Sequence, residues 1–247
     1  MPPRPRGRTR PSFKLGLIPR RLLLLAIALV VVILGLRQVF SIRTITVVPA
    51  NPTTAAEAKQ ILGASWSLGN ALTFNGSSFS SKLTAMDATI KSVSTTRLLP
   101  SGLRVVVTFK QPSLGWLSGN EGHLLDVDGT AIGVLPAGNK LPVVTDDSNL
   151  PVTAGQAVVA PRFVSFVTGV SKQLPNTGLT ATKYEIKDTT FDLYVTTNKG
   201  YQLILDTSRP VGDEMGDLTA VLNNLKQTGK TPAQYIDLRI AGRAYYK

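Results

Sequence analysis

The 247-residue chain contains no cysteine. Disulfides, cysteine-ligated metals and a catalytic thiol are therefore excluded. It contains one histidine, His123, which cannot build a multi-histidine metal site and reads as an ordinary strand or surface residue. Acidic residues are scarce, with 15 Asp and Glu against 27 Lys and Arg. Residues 1–21 have none, and they carry Arg4, Arg6, Arg8, Arg10, Lys14, Arg20 and Arg21. Those cations and Arg37 account for eight of the formal +12, so residues 38–247 keep only +4. Basicity is a tail property, and the near-balanced remainder carries no electrostatic footprint for nucleic acid.

Uninterrupted apolar runs are also rare, with one exception. Leu22 to Leu36 is uncharged between Arg21 and Arg37. With Gln38, Val39 and Phe40 at the interface, it predicts a membrane-spanning helix over 22–40. A cleaved signal peptide would need small residues at a cleavage site, and Arg-Gln-Val-Phe-Ser-Ile-Arg has no such pattern. The basic cluster precedes the span, which predicts an N-terminus in the cytoplasm and everything after Phe40 outside it. Residues 1–21 lack apolar content and are expected to be disordered, with their arginines against anionic lipids.

After the span, "SIRTITVV" is β-branched and alternating, and reads as a strand. "NPTTAAEAKQIL" predicts a helix with Thr53 or Thr54 as its N-cap, Glu57 completing a capping box, and Ala58, Ile61 and Leu62 inward. "SSFSSKLTAM" predicts a second helix, with Phe79, Leu83 and Met86 on one face. "TIKSVSTTRLL", a "PSG" turn and "LRVVVTFKQP" predict two strands, with Leu103, Val105, Val107 and Phe109 on one face. The order is β-α-α-β-β.

Beyond residue 113, "HLLDVDGTAIGVL" predicts a hairpin turning at Asp128-Gly129. Its aspartates lack the remaining ligands of a calcium loop. "APRFVSFVTGVSKQL" predicts a helix opened by Pro161 and buried through Phe163, Phe166, Val167 and Val170. Residues 183–206 predict two or three strands. "VGDEMGDLTAVLNNLKQTG" predicts a helix with Leu218, Val221, Leu222 and Leu225 inward and Gly229 at its end. "YIDLRIAGRAYYK" predicts the last strand, with Ile236, Leu238 and Ile240 in the core and "AGRAYYK" left as an open strand end. The fold class is α+β: an N-terminal transmembrane helix, a β-α-α-β-β domain over 41–112, and an antiparallel sheet with two packed helices over 113–247.

No lysine has a serine three residues before it, as serine acyl-transferases of the cell wall require. His123 has no G-x-S-x-G elbow to serve. Asp126, Asp128, Asp146 and Asp147 could be paired as glycosidase carboxylates, but they read as turn and linker residues. No phosphate-binding or dinucleotide fingerprint is present. The expectation is a protein without enzymatic activity or cofactor.

The β-α-α-β-β module directly after a single anchor resembles the POTRA domain of the FtsQ/DivIB family of bacterial division proteins. "RLLPSGLRVVVTFKQP" is similar to that family's strand, Pro-turn and strand. "GWLSGNEGHLLDVDGTAIG" is similar to its Trp-containing strand and Leu-x-Asp-x-x-Gly hairpin. "LPVVT" matches its Leu-Pro step and "YIDLR" its Asp-Leu-Arg strand. The resemblance runs from Ser41 to Tyr246. It implies a divisome scaffold in the cytoplasmic membrane at the septum, binding small bitopic coiled-coil partners of the FtsB/DivIC and FtsL type. It implies that those contacts lie at Arg239, Ile240, Ala241, Gly242, Arg243 and Tyr245. The alternatives are a membrane-anchored extracytoplasmic cell-wall enzyme and a POTRA-containing export or assembly factor.

Overall fold

The computed structural model describes residues 20–64 and 68–247. Most of the basic tail, with the disorder and lipid contacts expected of it, lies outside the described residues.

Helix α1 (Arg20–Val39) buries none of its residues and has a mean hydropathy of 2.6. A helix apolar on every side has no face to pack against protein, so its solvent is hydrocarbon. Phe40 bonds back to Leu36, and the chain enters strand β1 (Thr44–Val48) within a few residues. Helices α2 (Pro52–Ala64) and α3 (Gly76–Met86) follow, then strands β2 (Ile90–Leu98) and β3 (Gly102–Phe109).

The three strands form a sheet in the order β1-β3-β2. β1 runs parallel to β3 from Thr44 opposite Gly102 to Val48 opposite Val106, while β2 and β3 form a hairpin. The two helices make the crossover that a parallel pair needs. Val47, Ala58, Ile61, Leu62, Phe79, Leu83, Leu103, Val105 and Val107 close the first core.

Details differ from the sequence expectation. Asn51, not Thr53 or Thr54, caps α2: its Oδ1 accepts from the amides of Thr53 at 3.0 Å and Thr54 at 3.3 Å. Pro52 takes the first helical position, where its fixed φ suits the helix, so the cap falls one residue earlier. The box with Glu57 does not form. Met86 is exposed because α3 ends there.

The second sheet has nine strands: β4 (Leu114–Ser118), β5 (Glu121–Leu125), β6 (Ala131–Val134), β7 (Val143–Asp146), β8 (Ala181–Ile186), β9 (Asp192–Thr197), β10 (Gln202–Asp206), β11 (Tyr235–Asp237) and β12 (Tyr245–Tyr246). Their order is β12-β11-β10-β9-β8-β7-β4-β5-β6. The sheet is mixed rather than wholly antiparallel: β4/β7, β7/β8 and β10/β11 are parallel. Helix α4 (Pro161–Gln173) connects β7 to β8, and helix α5 (Val211–Thr228) connects β10 to β11. Each helix carries the chain back to its starting end, so the next strand must run the same way.

Both helices cover one face. The core joins Phe163, Phe166, Val167 and Val170 of α4 and Leu218 and Leu225 of α5 to Trp116, Leu193, Val195, Leu203, Leu205, Ile236 and Leu238. Trp116 is 1% exposed and meets Phe163 edge-on, with ring centroids 6.0 Å apart.

Candidate partner-binding edge

The nine-stranded sheet ends at β12, and among the described residues no strand lies beyond it. The expected single closing strand is two strands. β11 pairs with β10 on one side. The chain then turns at Ile240–Arg243, where the Arg243 amide bonds the Ile240 carbonyl at 3.0 Å and Gly242 takes φ +69°. That positive φ at the third turn position suits glycine. β12 folds back antiparallel, with Tyr246 opposite Ile236 and Tyr245 opposite Asp237. "AGRAYYK" is thus not an open extension of β11; it covers the edge of β11 and presents a new one.

Ile240 is also corrected. Ile236 and Leu238 are fully buried, but Ile240 is 53% exposed. The amide of Leu238 makes the last bond to β10, at Ile204. Beyond it the chain leaves the sheet, and the period of two ceases to assign faces.

Hydrogen-bond phase identifies the free groups of β12. Tyr235 and Lys247 exchange both bonds, amide to carbonyl, at 3.1 and 3.3 Å. In an antiparallel ladder the next pair, Ile236 and Tyr246, is then non-bonded. The amide and carbonyl of Tyr246 point away from β11, toward any strand added there.

Charged anchors hold the turn. Arg239 grips Asp237 through Nη2 to Oδ2 at 2.7 Å and Nε to Oδ1 at 3.0 Å, and reaches Asp192 of β9 at 3.1 Å. Its hydrogen bonds hold the Asp237 carboxyl below the usual range. Arg209 donates through Nη1 to the Leu238 carbonyl at 2.8 Å and to Glu214 at 2.9 Å, and through Nη2 to Asp217 at 2.6 Å. On the open face, Glu185, Tyr194, Ile204, Asp237 and Tyr245 lie in register across β8 to β12. Lys187 sits 4.2 Å from the Tyr194 ring centroid.

Of the residues expected at the site, the structure gathers Arg239, Ile240, Ala241, Gly242 and Arg243 into one exposed turn, with Tyr245 beginning the outer strand. Asp192, Arg209 and Glu214 were not expected there. Acids at the start of α5 carried a local signal only for the helix end. The carboxylates weighed for catalysis serve turns. Asp126 accepts from the amides of Asp128 and Thr130 and pairs with Lys110 at 3.5 Å. Asp146 accepts from Ser148 and is buried at the end of β7, not solvated in a linker.

Residues 40–108 match the family model described as "POTRA domain, FtsQ-type". The chain thus carries a domain of the FtsQ-type POTRA family. It is 29% identical over 146 residues to the "Cell division protein FtsQ" of Chloroflexus aggregans. The match covers 58% of this chain, and the chain spans about half the length of that curated relative, 51%. The FtsQ-type match takes in β1 through most of β3, the segment whose β-α-α-β-β order carried the resemblance.

Glu214 makes a pH prediction. It is fully buried, and burial pushes its carboxyl up to about 7, against the opposing pull of Arg209. The folded state therefore favours the protonated acid. Stability from this group is fully present below the unfolded value near 4.5 and is lost as pH rises toward 7. That span corresponds to about 3 kcal/mol. Between about pH 5 and about pH 8, Glu214→Gln should gain stability relative to the parent by up to that amount. Urea unfolding of both full-length chains in detergent measures it, and parallel pH profiles would contradict it.

Proposed function

We propose that this chain is a non-enzymatic scaffold of bacterial cell division. It is held in the cytoplasmic membrane by α1, with its N-terminus in the cytoplasm and both sheets outside. It captures small bitopic coiled-coil proteins of the FtsB/DivIC and FtsL type by strand addition to β12 and supports septal wall synthesis. The observation that carries this reading is the outer edge of β12, which no described residue pairs with, next to the exposed turn from Arg239 to Arg243. Main-chain hydrogen bonds at such an edge supply affinity, and flanking side chains supply selectivity. Orientation is supported by the cations before the span, which are retained in the cytoplasm. Arg239, already ion-paired on both sides, presents its guanidinium in one fixed direction, so an acidic partner residue can join it at small ordering cost.

A fluorescent fusion to the full chain, imaged in dividing cells, tests the role. Signal concentrated at the septum is expected, and uniform membrane signal overturns the reading.

A further inference from the structure

Two loops of the first domain return to the point where α1 ends. In the first, the Gly69 carbonyl accepts from the Ile42 amide at 2.9 Å and the Ala71 amide donates to the Phe40 carbonyl at 2.8 Å. The Asn70 side-chain amide donates to the Arg37 carbonyl at 3.2 Å. Segment 68–73 is therefore bound to the last turn of α1, with no free linker between helix and domain. The second loop is the β2–β3 turn. Its Ser101 carbonyl accepts from the amides of Arg43 at 2.8 Å and Thr44 at 3.2 Å. Arg97 ties the loops together through Nη1 to the Ala71 carbonyl at 3.3 Å.

These loops display leucines outward. Leu72, Leu98 and Leu99 are 51%, 49% and 65% exposed. Leu72 forms one wall of an apolar recess of about 230 Å³ whose other wall is Ile33 and Leu36 of α1. Ile33 and Leu36 belong to the uncharged run, so Leu72 stands level with residues inside the span. The exposed side chains of Arg43 and Arg97 flank the same rim.

Span length points the same way. The uncharged run from Leu22 to Leu36 rises roughly 22 Å at 1.5 Å per residue, against a hydrocarbon core of about 30 Å, so the interface falls in the residues just after Leu36. Whatever flanks the helix there lies at headgroup level. The flanking surface here is apolar at its tip and basic at its margin, the pattern of an interfacial contact.

We propose that this rim, Leu72, Leu98 and Leu99 with Arg43 and Arg97, rests in the outer interface of the bilayer that α1 crosses. The leucines enter the acyl boundary and the two guanidiniums meet anionic headgroups. The first domain is thereby held against the membrane in one orientation and does not swing on its anchor. The proposal rests on the reading of α1 as a membrane span.

Because the chain lacks cysteine, single-cysteine labelling needs no background substitutions. Leu72→Cys, Leu99→Cys, Val134→Cys and Leu29→Cys are each made in the full chain and labelled with an environment-sensitive nitrobenzoxadiazole dye. The proteins are reconstituted into vesicles of phosphatidylcholine and phosphatidylglycerol, with and without nitroxide-bearing lipid. Val134 is 79% exposed on the far edge strand β6 and serves as the aqueous reference. Leu29 lies inside α1 and reports the span itself. Labels at 72 and 99 are expected to emit to the blue of the label at 134, to be quenched by nitroxide lipid, and to resist iodide. Labels at 72 and 99 that behave like 134, while 29 is lipid-quenched, overturn the rim contact alone. A label at 29 that is quenched by iodide and not by lipid overturns the span, and the rim contact with it.

Discussion

The Tyr246→Pro chain is expected to keep its fold and lose partner capture. Proline removes one amide, and at position 246 that amide faces away from β11. The inner ladder, with Tyr235 bonded to Lys247, remains. Edge strands tolerate proline where the missing N–H faces outward. An added strand would then face proline where it needs a donor, leaving its own carbonyl unpaired in a buried contact. That costs about 1–3 kcal/mol, or roughly 5- to 150-fold in affinity. Tyr246→Phe keeps the amide and should bind nearly as the parent does. Pull-down of the coiled-coil partner by full-length chains measures both. Capture by Tyr246→Pro at parental strength would show that the partner does not add at β12. Deleting Gly242–Lys247 is a poorer test, because those residues also cover β11: the Lys247 carbonyl accepts from Ala233, Gln234 and Tyr235, and Ala244 packs on the core.

Trp116→Ala should produce the largest loss of stability. Trp116 is 1% exposed in β4, which β5 and β7 flank, and its ring packs edge-on against Phe163 of α4. Truncation leaves a large cavity at the joint between sheet and helix, at a cost of about 3–5 kcal/mol. Domains of this size carry about 5–15 kcal/mol in total, so little of the second sheet's stability remains. The indole Nε1 is buried without a hydrogen-bond partner among the described residues. Trp116→Phe therefore sacrifices volume but no hydrogen bond, and should cost far less than the alanine change. Urea unfolding followed by far-ultraviolet circular dichroism separates the two. Equal losses would mean that the indole nitrogen, and not ring packing, holds the site.

Local periodicity was informative where each element is long. The run from Leu22 to Leu36 declared a span because no polar face interrupts it. Alternation at Leu103, Val105 and Val107 and helical spacing at Phe163, Phe166, Val167 and Val170 named the buried faces correctly. At Thr53 and Thr54, the capping pattern was outweighed by Pro52, whose preference for the first helical position moves the cap to Asn51. At Asp146, a cluster of turn-forming residues hid the fact that its first member ends a buried strand. Strand direction was not legible, since alternation is the same in parallel and antiparallel pairs.

The candidate site divides along the same line. By itself the sequence determined its chemistry: Arg239 through Tyr245 supply two cations, small residues and an aromatic after a strand, and a glycine at 242 that permits a turn. Only the tertiary structure decided that the turn closes, that Ile240 faces water, and that β12 is the outer strand. It also decided which anchors hold that turn. Asp192 lies 47 residues from Arg239, and Arg209 lies 29 residues from Leu238. Spacing along a strand reports which side of a sheet a residue takes. It carries no information about which distant strand or side chain will stand beside it, because that is set by the packing of the whole core.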